Sequence, residues 1–351
     1  MRCVYFYAVD PGAVSIMQPI FDSSPDDVQR FWAAEGWAWA HFESKGVKCI
    51  DINKLEKCLN SDDILMIGSQ MNMLRTAELI HSFTKQGIST IFIFDHWGNY
   101  TKHFTKLDGT RVLPRRILVM DEYARARLVE LGFDDSIVRI VGHPGIESDV
   151  KNANEIDDIE KSELRRRLEI GNNVKVALLA LEPLSKDYGR EALCYDEYTV
   201  TKTVVNALSN NSKTETKLFV CLHPRQIRRE FCDFLKLENL SEKIQLCPDK
   251  MAETELLAIA DVVIGMHSVF LIKAVILGKP IICIHFNQKD LQHHRNVIPY
   301  FERFRVTDPS KLYDVIHERL YLTKGERITF PKGSVKRVWD EIKMLLSDGN
   351  H

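Results

Sequence analysis

The sequence predicts an α/β protein built from two parallel sheets with helices on their faces. Three observations carry this. Short apolar runs of strand length alternate with helix-period stretches along the whole chain. The alternation breaks at a hydrophilic stretch, residues 147–158, and then begins again. The 351 residues, 45% of them hydrophobic, suffice for two domains of ordinary size, each with its own core.

In the first half, strands are predicted at 3–9, 47–52, 64–67, 89–94, 116–119 and 137–141, with helical stretches between them. Residues 26–42 hold Phe31, Trp32, Trp37, Trp39 and Phe42, which read as core packing within one such stretch. Residues 74–85 place Leu74, Leu79, Ile80 and Phe83 near one helix face, and 122–131 stop at Gly132. Residues 147–158 read as the inter-domain linker, and a charged helix follows at 160–168. The second half predicts strands at 174–181, 217–222, 244–246, 262–264 and 280–285, and helices at 195–209, 225–237, 253–260 and 270–277. A last helix near 334–346 carries the stripe Val335, Val338, Trp339, Ile342, Leu345 and Leu346, and is expected to pack back towards the first domain. The predicted division is 1–150, 151–333 and 334–351: two Rossmann-like domains facing each other across a cleft, and a terminal helix.

Composition excludes some functions. A net charge of -2 gives no basic face for nucleic acid, although a local basic pocket for one phosphate does not show in a total. The longest apolar runs, such as 174–181, are strand-sized, so no transmembrane segment is expected and membrane contact is left as peripheral at most. Residues 1–9 lack a signal-peptide cleavage region and read as a first buried strand. The eight cysteines (Cys3, Cys49, Cys58, Cys194, Cys221, Cys232, Cys247 and Cys283) form no CxxC pair. They read as reduced, mostly buried thiols, which implies a cytoplasmic location.

In doubly wound sheets, ligands bind beyond the carboxyl ends of the strands. Five places qualify. Asp10-Pro11-Gly12 follows the first strand without a GxGxxG fingerprint, and reads equally as a turn or a ligand loop. Gly68-Ser69-Gln70 is short and polar, and reads as an ordinary βα turn or as a contact for an acceptor. Asp95-His96-Trp97-Gly98-Asn99-Tyr100 puts a carboxylate and an imidazole together at a strand end, where either can act as a general base. Gly142-His143-Pro144-Gly145 ends the last strand of the first half, so His143 can touch a donor phosphate or shape the hinge. His223-Pro224-Arg225 and the later Met266-His267-Ser268 stand before helices whose free N–H groups suit an anion, with Ser268 also a natural N-cap. The pair His293-His294 reads as surface loop, and no metal site is expected.

Leu222-His223-Pro224-Arg225, followed by Ala260-Asp261-Val262-Val263-Ile264-Gly265-Met266-His267-Ser268 and Leu277-Gly278-Lys279-Pro280, resembles the donor domain of GT-B-type enzymes. The order is similar to bacterial sialyl- and polysialyltransferases, teichoic-acid glycerophosphotransferases and UDP-GlcNAc 2-epimerases. The resemblance implies that His223 and Ser268 contact the donor phosphate and that Asp95 or His96 is the acid/base group of the first domain. The strand-end positions themselves place Arg225 and His267 beside the donor phosphate, with His143 a further candidate, and Asp10, Gly12 and Ser69 near the acceptor. Many of these relatives carry an acidic residue where this chain has Lys273. The implied activity is transfer of a sugar or glycerophosphoryl-type group from a nucleotide-sugar or CDP/CMP-linked donor to a carbohydrate-type hydroxyl acceptor. The donor is substrate, and no further cofactor is expected. The alternatives are a nucleotide-sugar 2-epimerase or hydrolase, and a non-catalytic binder of the same fold.

Overall fold

A computed structural model of the chain describes residues 2–189, 193–209, 215–249, 251–286 and 298–348. It divides into two compact units, Met1–Ser148 with Phe330–His351, and Asp149–Thr329.

The first unit is a sheet of β1 (Cys3–Ala8), β2 (Gln29–Ala34), β3 (Cys49–Asp51), β4 (Ile64–Gly68), β5 (Ser89–Ile93), β6 (Arg116–Val119) and β7 (Val138–Ile140). All pairings are parallel, in the order β3-β2-β1-β4-β5-β6-β7. The winding direction reverses between β1 and β4, where a doubly wound sheet opens a ligand crevice.

Residues 26–42 correct the helical expectation. Gln29–Ala34 is a strand, with Phe31 paired to Tyr5 and Trp32 to Phe6. Its side chains alternate: Trp32 is buried in the core, while Phe31 is exposed and stacks on Tyr5 at 5.3 Å. The helix starts only at Gly36 and runs to Ser44. The core reading thus holds for Trp32 and Phe42, while Trp39 is exposed.

The terminal helix Ser334–Asp348 belongs to this unit. Val338, Trp339, Ile342 and Leu345 are buried in the core formed with the helix Pro11–Asp22, and the Trp339 indole donates to the Ile20 carbonyl at 3.0 Å. Glu147 fixes its start by accepting the N–H groups of Gly333 at 2.6 Å and Ser334 at 2.8 Å. Glu341 pairs with Arg116 at 3.2 Å and Arg139 at 3.4 Å.

The second unit is a sheet of β8 (Lys175–Ala180), β9 (Thr216–Cys221), β10 (Gln245–Leu246), β11 (Val262–Gly265), β12 (Ile281–Ile284) and β13 (Arg305–Val306). It is parallel in the order β10-β9-β8-β11-β12-β13, so it repeats the winding of the first, with its reversal between β8 and β11. β13 and the helix Leu312–Leu320 were not expected from the sequence.

The expected linker at 147–158 is also corrected. The helix Pro144–Glu155 covers most of it, and Asp157 and Glu160 form a capping box that starts the helix Asp158–Arg167. The polar composition there is that of exposed helix, not of loop.

The thiol expectation changes at one pair. Phe219 and Val220 of β9 lie beside Gln245 and Leu246 of β10. Continuing that register brings Cys221 and Cys247 together with Cα atoms 5.2 Å apart, and they form a disulfide. Cys3, Cys49, Cys58, Cys194, Cys232 and Cys283 are free. Among the described residues no helix is long and apolar enough to cross a membrane.

Candidate functional site

In the first unit, four residues predicted for acid/base or acceptor roles meet at the carboxyl-terminal rim of β1, β4 and β5. Asp95 donates its backbone N–H to the Ser69 hydroxyl at 3.3 Å, and Ser69 in turn donates to the Ile93 carbonyl. Asp10 accepts the Met71 N–H at 2.6 Å, which ties the loop after β1 to the loop after β4. Gly12 is required here by close approach: a Cβ on it would lie 1.8 Å from Asp95 Oδ2. Burial pushes the Asp95 carboxyl up to about 6, with the charge of Asp10 adding to it and the Ser69 bond opposing it.

The rest of the Asp95 loop is anchored. Trp97 is fully buried, and its indole donates to Asp121 Oδ2 at 2.6 Å while Asp121 Oδ1 caps the next helix at Ala124 N. His96 packs edge-on to Trp97. His143 is buried. Its Nδ1 accepts the Ile146 N–H at 3.1 Å, which leaves Nε2 as the donor to the Asp95 carbonyl, also at 3.1 Å. Both ring nitrogens are thus engaged within the first unit, where the ring holds the Asp95 loop, the shaping role read as one of its two alternatives. Gly142, at φ +84, lets the chain turn beneath Arg337 and Ser334.

In the second unit, the two turns predicted to face a donor leave β9 and β11, the strands on either side of β8. The strands are parallel, so both turns stand at the same rim. His223 Nδ1 accepts the Arg225 N–H at 3.1 Å, which leaves Nε2 as the N–H that the ring can present. Burial depresses this imidazole to about 4, with Arg225 adding, so it is a neutral donor at physiological pH. Arg225 departs from expectation: Asp187 holds its guanidinium bidentately at 2.6 and 2.7 Å, neutralising much of the charge predicted for a phosphate. Ser268 caps the helix Val269–Ile276 by accepting the Phe270 N–H at 3.1 Å. His267 is buried with its ring centroid 4.0 Å from that of His285, which follows β12.

Sequence reasoning missed Glu182 and Asp187. Glu182 follows β8 at the switch point and accepts the backbone N–H of His267. Burial pushes its carboxyl up to about 7; Asp187 adds to this, and Arg225 opposes it. A lone acidic residue ending the apolar run before Pro183 was the available signal. Lys273 is buried between Asp149 at 2.7 Å and Glu253 at 2.6 Å.

A cavity of about 500 Å³ lies at the opposite, amino-terminal ends of β9 and β10, lined by residues including Val205, Thr216, Lys217 and Gln245. It also includes Glu242 and Lys243 in its lining, but it lies away from the strand ends where ligands of doubly wound sheets bind. Among the described residues no group of three or more His, Cys, Asp or Glu is placed to hold a metal ion. His293 and His294 lie outside the described residues.

No protein-family model and no curated protein matches the sequence. Solved structures do match. The UDP-GlcNAc 2-epimerase of Neisseria meningitidis bound to UDP-GlcNAc is similar over 98% of this chain and 100% of its own, with TM-score 0.68 and 11% identity. A glycosyltransferase of Rickettsia africae is similar over 99% and 93%, with TM-score 0.59 and 12% identity. The wall teichoic acid polymerase TagF is similar over 100% and 90%, with TM-score 0.58 and 12% identity. At these identities the likeness is one of fold: the chain is similar along its length to GT-B-type nucleotide-sugar enzymes.

Proposed function

We propose that the chain is a transferase of GT-B fold that moves a sugar or glycerophosphoryl-type group from a nucleotide-activated donor to a hydroxyl of a carbohydrate-type acceptor. The observation that carries the reading is in the second unit. The His223 turn and the Met266-His267-Ser268 turn stand at one rim, on either side of the strand where the winding reverses. The Nε2–H of His223 and the backbone N–H groups at the start of Val269–Ile276 suit an anionic phosphate there. In the first unit, Asp95 is the acid/base group, because its pKa of about 6 leaves it ionised at neutral pH and still basic enough to take a hydroxyl proton. Asp10, Gly12 and Ser69 set its position, and His143 supports it from beneath. His96 is the neighbouring group with the same chemistry, and loss of turnover in D95N but not in H96N separates the two.

A thermal-shift panel of UDP, CDP, CMP and GDP compounds tests the reading. A compound present at about 100 times its Kd stabilises the fold by roughly 2.7 kcal/mol. A shift with one nucleotide class, lost in H223A, is the expected result; no shift with any of them contradicts it.

A second reading is supported by the higher TM-score with the epimerase than with the glycosyltransferase. A nucleotide sugar inverted at C2 without acceptor, and no transfer product, would assign the chain to it.

A further inference from the structure

We infer that Glu182 belongs to the phosphate site of the second unit and must carry a proton for the donor to bind, so that binding takes up one proton; this rests on the donor reading above. Glu182 stands at the end of β8, where the sheet reverses its winding, and its carboxyl accepts the N–H of His267. Ser268 follows His267 directly and caps Val269–Ile276, so a phosphate seated at that helix start lies close to this carboxyl. Its Oε1 is closed off from solvent and has no hydrogen-bond partner among the described residues. An ionised Glu182, held by the His267 N–H but with Oε1 unsatisfied, would therefore place a negative charge beside an incoming anion, in a poorly solvated site. Protonation removes that repulsion.

The surrounding groups leave Glu182 the clearest proton acceptor near neutral pH. Asp187 and Arg225 neutralise each other in a bidentate pair. Burial raises Tyr188, Tyr195 and Cys283, which keeps them neutral across this range. His223 is held neutral by burial at about 4. Glu253, which adds to the potential at His223, is paired with Lys273. His267 and His285 are the two rings that remain. Burial already holds the carboxyl of Glu182 near 7, so the empty site is about half ionised at neutral pH.

The test is titration calorimetry of the full chain with UDP-GlcNAc, UDP-glucose and CDP-glycerol between pH 6.5 and 8.5, a range in which none of their phosphates titrates. For whichever compound binds, Kd should rise about 15-fold from pH 7 to pH 8.5, with proton uptake, read from buffers of different ionisation enthalpy, growing from about half a proton at pH 7 to nearly one at pH 8.5. Glu182→Gln should bind at pH 8.5 about as tightly as the unaltered chain does at pH 6.5, with no pH dependence. His285→Gln should keep the slope. A flat profile in the unaltered chain overturns the inference without recourse to any variant. So does a Glu182→Gln protein that keeps the slope, whereas the donor reading survives both results. No binding of any of the three compounds at any pH overturns the inference for uridine and cytidine diphosphate donors, while the wider nucleotide panel above decides the donor reading itself.

Discussion

Asp95 and Gly12 form the most demanding contact in the first unit. Gly12→Ala would drive a methyl group into the Asp95 carboxylate, so the loop after β1 or the carboxylate must move. A displacement of about 1 Å at a catalytic group commonly costs on the order of 100-fold in rate. The expected outcome for Gly12→Ala is a loss of that size in kcat with a small change in melting temperature, read by steady-state kinetics beside a thermal melt. Asp95→Asn should behave oppositely in stability. A carboxyl raised from 3.8 to about 6 on folding makes the folded state bind the proton more tightly than the unfolded chain. Stability therefore falls as pH rises through that window, and above it the full penalty is present. Removing the charge should stabilise the protein at pH 8 by up to about 3 kcal/mol in urea unfolding, while turnover is lost.

At the scale of elements, the terminal helix is the clearest case of a sequence pattern read correctly. Its stripe of Val338, Trp339, Ile342 and Leu345 is the face buried in the first unit. Trp339→Ala should cost about 3–5 kcal/mol, because it removes a large buried side chain and leaves the Ile20 carbonyl without its indole donor. A shift of the urea midpoint smaller than that of a surface substitution would contradict this packing. Other elements were less legible for physical reasons. β2 was hidden because an aromatic-rich segment does not distinguish a strand from a helix until its period is counted, and Phe31 and Trp32 take opposite faces. The helix Pro144–Glu155 was hidden because an exposed helix and a loop share a polar composition. β13 is two residues long and offers no periodicity at all.

The same contrast holds for the sites. The strand ends were legible, because parallel sheets place polar loops there, and Asp10, Gly12, Ser69 and Asp95 do meet at one rim. What lay beyond sequence was the partner of each group: that Asp187 holds Arg225, that His143 serves the Asp95 loop, and that Glu182 sits under His267. Partners come from different elements, and spacing along the chain carries no record of them.

For the whole molecule, the two rims make opposite demands on pH. On the proposed reading, Asp95 acts as a base only when ionised, so activity should rise through about 6; Glu182 admits the donor only when protonated, so activity should fall above about 7. A narrow bell in kcat/KM, with its alkaline limb removed in Glu182→Gln, is the expected profile.

The most direct test is a crystal structure of the chain with its bound nucleotide. The phosphates should lie within hydrogen-bond distance of His223 Nε2 and of the backbone N–H groups that open Val269–Ile276. Phosphates bound at any other place in the second unit, or a nucleotide seated only on the first, would contradict the account.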